Sequence, residues 1–202
     1  MLTKDELKAR FLHACQEVIG AEAELTEIDS HFGDADHGVT MTKIAGAIAE
    51  GVEEAEGGIQ AMLDEAACNV MMINGGSAVP LWNTWLDALQ EEAAEGDEMD
   101  VEQIKNMFQH AYEELEALSK AKVGDKTMMD ALIPATEALV GCEGDVDQLF
   151  EAAAAAAVKG AENSKNFVSK FGRAKSYGEK TLGTPDAGAT SMKYFFVGLA
   201  KK

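Results

Sequence analysis

Apolar residues recur at helical spacing along nearly the whole chain. In "TKDELKARFLHACQEVIGAEAEL" the residues Leu7, Phe11, Cys15, Val18 and Ile19 fall on one face. Thr3 and Glu6 stand at the spacing of a capping box ahead of that run. Comparable stripes predict further helices over 39–54, 58–72, 78–94, 100–120, 126–140, 145–170 and 187–200. Alanine, glutamate, methionine and leucine, all good helix formers, dominate these segments. No stretch alternates as a half-buried strand must, and no period repeats as in a solenoid. Eight helices joined by short loops predict one all-α domain over residues 1–202, a bundle or a barrel.

The glycines fall mostly at the joints, and many have charged or hydroxyl neighbours: "GDADHG", "GGS", "GDKT" and "GTPDAG". Helix punctuation accounts for glycine there. Helix N-termini flanked by glycine also expose free backbone N–H groups, which suit phosphate oxygens.

Charge narrows the function classes. Aspartate and glutamate number 36 against 17 lysine and arginine, a net charge of −19. That balance argues against binding nucleic acid or an anionic membrane by general electrostatics, but permits a small phosphate ligand held through metal ions. The cysteines Cys15, Cys68 and Cys142 are scattered and lack metal-ligand spacing, so they read as reduced thiols. With no apolar signal core and no stretch long enough to span a bilayer, the expectation is a soluble, cytoplasmic protein.

The densest chemistry lies in "EIDSHFGDADHG", which sets Asp29, Asp34 and Asp36 in one short loop. Carboxylates are hard oxygen ligands of the kind Mg²⁺ takes together with water and substrate phosphates. N-caps and turn formers are the plainer reading of the same aspartates. An EF-hand fits poorly, because its closing glutamate is missing from the required position. His37 reads as a core histidine, a general base or a phosphate donor, and its place between Asp36 and Gly38 favours the phosphate-facing role. Met128 is by default a core methionine, and at a cleft edge it would pack on a purine ring. Arg173, in "FGRAKSYGEK", is either a solvated charge or a phosphate or partner clamp. No Walker loop and no protein-kinase signature occurs.

Three stretches, taken together and in order, resemble the signatures of the dihydroxyacetone kinase L-subunit family: "LTEIDSHFGDADHG", "VGDKTMMDALIPA" and "GRAKSYGEKTLGTPDAGATS". The resemblance covers almost the whole chain. It implies a barrel of eight antiparallel helices with ADP bound at one end through two Mg²⁺ ions. It further implies that ADP/ATP stays bound as a coenzyme, rephosphorylated by a phosphohistidine-carrying M subunit of the sugar phosphotransferase system. The phosphoryl group then passes to dihydroxyacetone held by a separate K subunit. The chain is too short to include a K part, which favours a free-standing subunit. The oligomeric state is left open, with room for a homodimer.

Carried over residue by residue, the resemblance puts the magnesium ligands at Asp29, Asp34 and Asp36 and phosphate-loop contacts at His37, Gly38, Val39 and Thr40. The next nucleotide contacts fall at Gly76, Ser77 and Ala78, followed by Met128, Arg173, Asp186 and Gly188, with Arg173 also the catalytic candidate. The chain departs from the family pattern at Thr40 (usually asparagine), Ala78 (serine), Val79 (glycine), Ser119 (glycine) and Ala187 (proline). Two further classes stay open at this point. One is the L-type part of an ATP-dependent triose or tetrose kinase, and the other is a non-catalytic nucleotide-binding regulator.

Overall fold

The computed structural model describes residues 1–202. Its elements are β1 (Leu2–Thr3), α1 (Lys4–Gly20), α2 (Glu22–Ser30), α3 (His37–Glu54), α4 (Ile59–Met71), α5 (Ala78–Glu91), β2 (Glu98–Met99), α6 (Val101–Ser119), α7 (Met129–Gly141), α8 (Val146–Asn163) and α9 (Ala187–Leu199). Capping chemistry sets several starts. At α1 the Glu6 N–H donates to Thr3 Oγ1 (3.2 Å) and the Thr3 N–H donates back to the Glu6 carboxylate (2.8 Å). Asp100 with Gln103, and Asp145 with Gln148, repeat the device at α6 and α8.

The helix expected over the first segment is two helices. The chain bends at Ala21 (φ −92°, ψ 3°), whose N–H donates to the Glu17 and Val18 carbonyls and closes the turn. The helix expected over 145–170 stops at Asn163. There the Ser164 hydroxyl donates to the Ala161 carbonyl (2.6 Å) and the Ser164 carbonyl accepts from the Lys126 ammonium (2.7 Å). Beyond it, residues 173–181 form tight 3₁₀ turns broken at Gly178. The small β1–β2 pair, antiparallel with Leu2 opposite Met99, was not expected, since two-residue strands show no alternation.

α1 packs on α3, each later helix packs on its successor, and α9 returns to α1, so eight helices close a ring. α2 lies outside it against α3 and α9. Successive ring helices run antiparallel, and the starts of α3, α5, α7 and α9 meet at the same end. The expected all-α barrel is the architecture found, with α2 as an addition. Its interior is aromatic: Trp82, Trp85, Phe108, Phe150, Phe195 and Phe196 meet mostly edge to face, with ring centroids 5.1–6.2 Å apart. At the opposite end Arg10 is buried, its guanidinium bonded to Asp147 and to the Leu199 carbonyl and lying over the Phe150 ring. No helix is long and apolar enough to cross a membrane.

Candidate functional site

A cavity of about 360 Å³ opens at the end of the barrel where α3, α5, α7 and α9 begin. Its wall takes residues from all four starts: His37 and Thr40 from α3, Ala78 and Trp82 from α5, Met128 before α7, Ala187 and Gly188 from α9. The first N–H groups of a helix have no partner within it, and each helix dipole leaves roughly half a positive charge at that end. Four such ends face one space.

The carboxylates share the wall with them, Asp36 directly ahead of α3. Asp29, Asp34 and Asp36 bring ligand oxygens within 4.8 Å of one another. The turn is built for this. Ala35, between two of them, adopts a left-handed conformation (φ 60°), which turns the chain so that both neighbours reach the same centre. The Asp36 N–H donates to Asp29 Oδ2 at 3.1 Å. At Gly33 the chain folds so tightly over α2 that a Cβ would lie 2.0 Å from Asp29 Oδ1. These are acceptor-only oxygens on a partly exposed rim, a donor set that suits a hard divalent cation. One positive group already answers it: the Arg173 guanidinium reaches Asp34 Oδ2 at 2.8 Å.

His37 is held deeper. Its Nε2 lies 3.2 Å from Ser191 Oγ, and that hydroxyl gives its own proton to the Gly188 carbonyl (2.9 Å). Ser191 therefore accepts from Nε2–H, which fixes the ring's orientation. Burial pushes the imidazole below its ordinary pKa, against the pull of Asp29 and Asp36. Asp186 caps α9 by accepting from the Ala189 N–H at 2.8 Å. Desolvation at the cavity wall, with Asp130 nearby, pushes its carboxyl up to about 7, against the Ala189 bond and the Lys126 charge.

The cavity wall brings together Asp29, Asp34, Asp36, His37, Thr40, Gly76, Ser77, Ala78, Met128, Arg173, Asp186 and Gly188. Gly38 and Val39, expected at the phosphate loop, do not line it. Gly38 is where α3 touches α2, since a Cβ there would lie 2.2 Å from the Glu22 carbonyl oxygen. The Val39 side chain points outward and is 43% exposed. Ser119 lies off the wall, its hydroxyl accepting the Ala121 N–H. The wall also holds residues the sequence reading passed over: Phe32, Lys126, Thr127, Ser169 and Phe171. Lys126 and Thr127 stand in the glycine-led "GDKT". Phe32 sits inside the aspartate loop and packs at a tilt of 58° against Tyr177, ring centroids 5.2 Å apart.

Residues 31–201 match the family model of the DAK2 domain. The D-erythrulose kinase of Mycolicibacterium smegmatis is 37% identical over 193 residues, covering 92% of this chain and 33% of its own length. The L-erythrulose kinase of Pectobacterium atrosepticum is 34% identical, covering 91% and 32%. This chain therefore spans about a third of the length of those two relatives. The ADP-binding subunit DhaL of the Escherichia coli PEP-dependent dihydroxyacetone kinase is 29% identical over 195 residues, covering 94% of this chain and 93% of that subunit. Among solved structures, the dihydroxyacetone kinase from C. freundii in complex with AMP-PNP and Mg2+ superposes with a TM-score of 0.72 at 23% identity. That likeness, over 96% of this chain and 33% of the other, is one of fold. The aspartate turn, the four converging helix starts and the match over residues 31–201 all describe one thing, and the chain belongs to the DAK2 domain family.

Proposed function

We propose that the chain is the nucleotide-binding unit of a kinase for a short ketose, working as the ADP-binding subunit of a PEP-dependent dihydroxyacetone kinase. The observation that carries the reading is the meeting of three clustered carboxylates and four helix N-termini on the wall of one cavity. That arrangement suits a diphosphate bridged to divalent metal. Asp29, Asp34 and Asp36 would hold Mg²⁺, two ions by the family pattern, and bound Mg²⁺ supplies neutralisation of phosphate charge.

The chain's own residues do the rest. The N–H groups opening α3, α5 and α9, with Gly76 and Ser77 ahead of α5, receive phosphate oxygens. Met128, Leu81 and Trp82 offer an apolar wall for a purine. Arg173 presents a forked donor to charge that develops as the phosphoryl group moves. No nucleophile is asked of this chain, because the acceptor hydroxyl belongs to a ketose held on a K subunit. The phosphoryl donor in this reading is the phosphohistidine M subunit of the phosphotransferase system, which places the activity in the cytoplasm.

A second reading has an observation of its own: the relatives at 37% and 34% identity are erythrulose kinases. In it the nucleotide exchanges and the acceptor is a tetrose. Native mass spectrometry of freshly purified protein, followed by transfer assays, separates the two. Retained ADP with magnesium, and transfer from a phosphohistidine donor to dihydroxyacetone, is the expected result. Nucleotide-free protein that turns over only with added ATP and erythrulose establishes the second reading. Absence of any nucleotide binding overturns both.

A further inference from the structure

Lys126 lines the cavity, yet the functional reading above gives it no task. The residue bears two costs at once. It is only 4% exposed, and its backbone is left-handed (φ 61°). A buried ammonium is expensive unless it is bonded, and a left-handed conformation is unfavourable for any residue other than glycine. Glycine would remove both penalties at once. Strain of this kind persists where the surrounding structure uses the side chain.

The use is visible in its bonds. The Lys126 ammonium donates to the Ser164 carbonyl at 2.7 Å and to the Thr184 carbonyl. Those two residues are the feet of the segment 165–183, which carries Arg173. The feet are also joined to each other: the Gly183 N–H donates to the Lys165 carbonyl (2.8 Å), and the Asp186 N–H donates to Ser164 Oγ (2.9 Å). On the other side of the pin, the turn before α7 is rigid. The buried Asp130 carboxylate accepts the Gly124 N–H at 2.6 Å and the Thr127 N–H at 2.7 Å. Asp125, from the same turn, pairs with the Lys170 ammonium at 2.6 Å and accepts the Lys170 N–H on its carbonyl at 3.1 Å.

We propose that Lys126 is a positioning residue for the nucleotide cleft: its ammonium pins both feet of the Arg173-bearing segment to the turn that precedes α7. The pin thereby sets where Arg173 stands relative to Asp34. The ligand named here, a magnesium-bound nucleoside diphosphate, rests on the proposed function, whereas the pin itself does not.

The test compares the full chain with Lys126→Gly, which keeps the left-handed turn and removes the ammonium. Amide hydrogen exchange is read peptide by peptide without ligand, and MgADP affinity by calorimetry. Exchange across 166–182 should rise at least tenfold while α1, α5 and α6 keep wild-type protection, and MgADP should bind at least tenfold more weakly. Because the pin acts through Arg173, the loss of affinity should shrink when Arg173→Ala is already present. Wild-type exchange in 166–182 overturns the proposal, as does an increase spread evenly over the barrel, since that marks a purely structural lysine. Should Lys126→Gly fail to fold, Lys126→Met, which keeps the apolar stem, is read by the same criterion. If wild-type protein binds no MgADP while local exchange rises as stated, the nucleotide reading falls and the pin stands.

Discussion

Gly38→Ala tests how the metal turn is held against the barrel. Gly38 lies in the first turn of α3, and a Cβ built there would stand 2.2 Å from the Glu22 carbonyl oxygen, 2.2 Å from Thr26 Oγ1 and 2.9 Å from the Thr26 backbone nitrogen. Two of these atoms are backbone, so no side-chain rotation relieves the clash. Non-bonded contacts settle near 3.5–4.0 Å, so α2 has to retreat by more than about 1 Å. Overpacking of this kind costs about 1–3 kcal/mol. At 2–4 °C per kcal/mol for a chain of this size, the melting temperature should fall by roughly 2–12 °C. The control lies in the same helix: at Gly46 a Cβ meets nothing within 4 Å. There the substitution gains helix propensity of about 0.8–1.0 kcal/mol, which should raise the melting temperature by about 2–4 °C. Retreat of α2 also carries Asp29 away from Asp34 and Asp36, so Mg²⁺ affinity should drop in Gly38→Ala and stay unchanged in Gly46→Ala. Scanning calorimetry with and without Mg²⁺ reads both quantities. A Gly38→Ala protein as stable as Gly46→Ala, with unchanged Mg²⁺ binding, would refute the reasoning.

Asp36→Asn should abolish retention of magnesium and nucleotide while leaving the far-UV circular dichroism of the barrel intact; normal ADP content in that variant would remove the metal assignment. MgADP at about a hundred times its dissociation constant should stabilise wild-type protein by roughly 2.7 kcal/mol, read as a rise in melting temperature that chelation with EDTA reverses. Arg173→Lys should change stability by under about 0.5 kcal/mol, since the side chain is 71% exposed. Phosphoryl transfer in the same variant should fall about tenfold, or about 1.4 kcal/mol, because an ammonium lacks the guanidinium fork. Asp186 gives a pH effect: its folded pKa is raised from 3.8 to about 7, so the native state holds a proton that the unfolded chain has released. It therefore lowers stability progressively as pH rises from about 4 to about 7, and Asp186→Asn should flatten that part of the stability profile in equilibrium melts.

The barrel was legible because its information is local. Leu7, Phe11, Cys15 and Val18 are buried in α1 as the spacing requires, whereas Ile19, expected on the same face, is 40% exposed near the end of the helix; Thr3 caps α1 as its spacing from Glu6 predicts. The aspartate cluster was legible for the same reason: Asp29 at the end of α2 and Asp34 and Asp36 in the turn after it lie close together in sequence. What escaped notice depends on distant partners. Ser164, Lys165 and Asn166 contain no helix breaker, and α8 ends before them because Lys126, 38 residues earlier, captures the Ser164 carbonyl. The bend at Ala21 falls among glycine, alanine and glutamate, where nothing marks a boundary. A lysine in "GDKT" reads as surface charge until its burial is known. Gly38 was placed among phosphate contacts, and only the contact between α2 and α3 shows why that position holds no side chain.

The proposed phosphate ligand sits uneasily with a net charge of −19, and the local charges around the cavity bear on that conflict. At physiological ionic strength, charges farther apart than about 8 Å are largely screened, so most surface carboxylates act weakly on the cavity. Inside that range positive groups gather as well. Four helix starts each contribute roughly half a positive charge, and Arg173 contributes a full one at the rim. Of the four aspartates on the wall, Asp186 caps α9, and the other three are clustered as cation ligands would be. Their repulsion is partly relieved by Arg173 on Asp34 and by the Asp36 N–H on Asp29. In the proposed reading the acidic turn and the helix starts are therefore complementary halves of one site, one for a dication and one for phosphate oxygens.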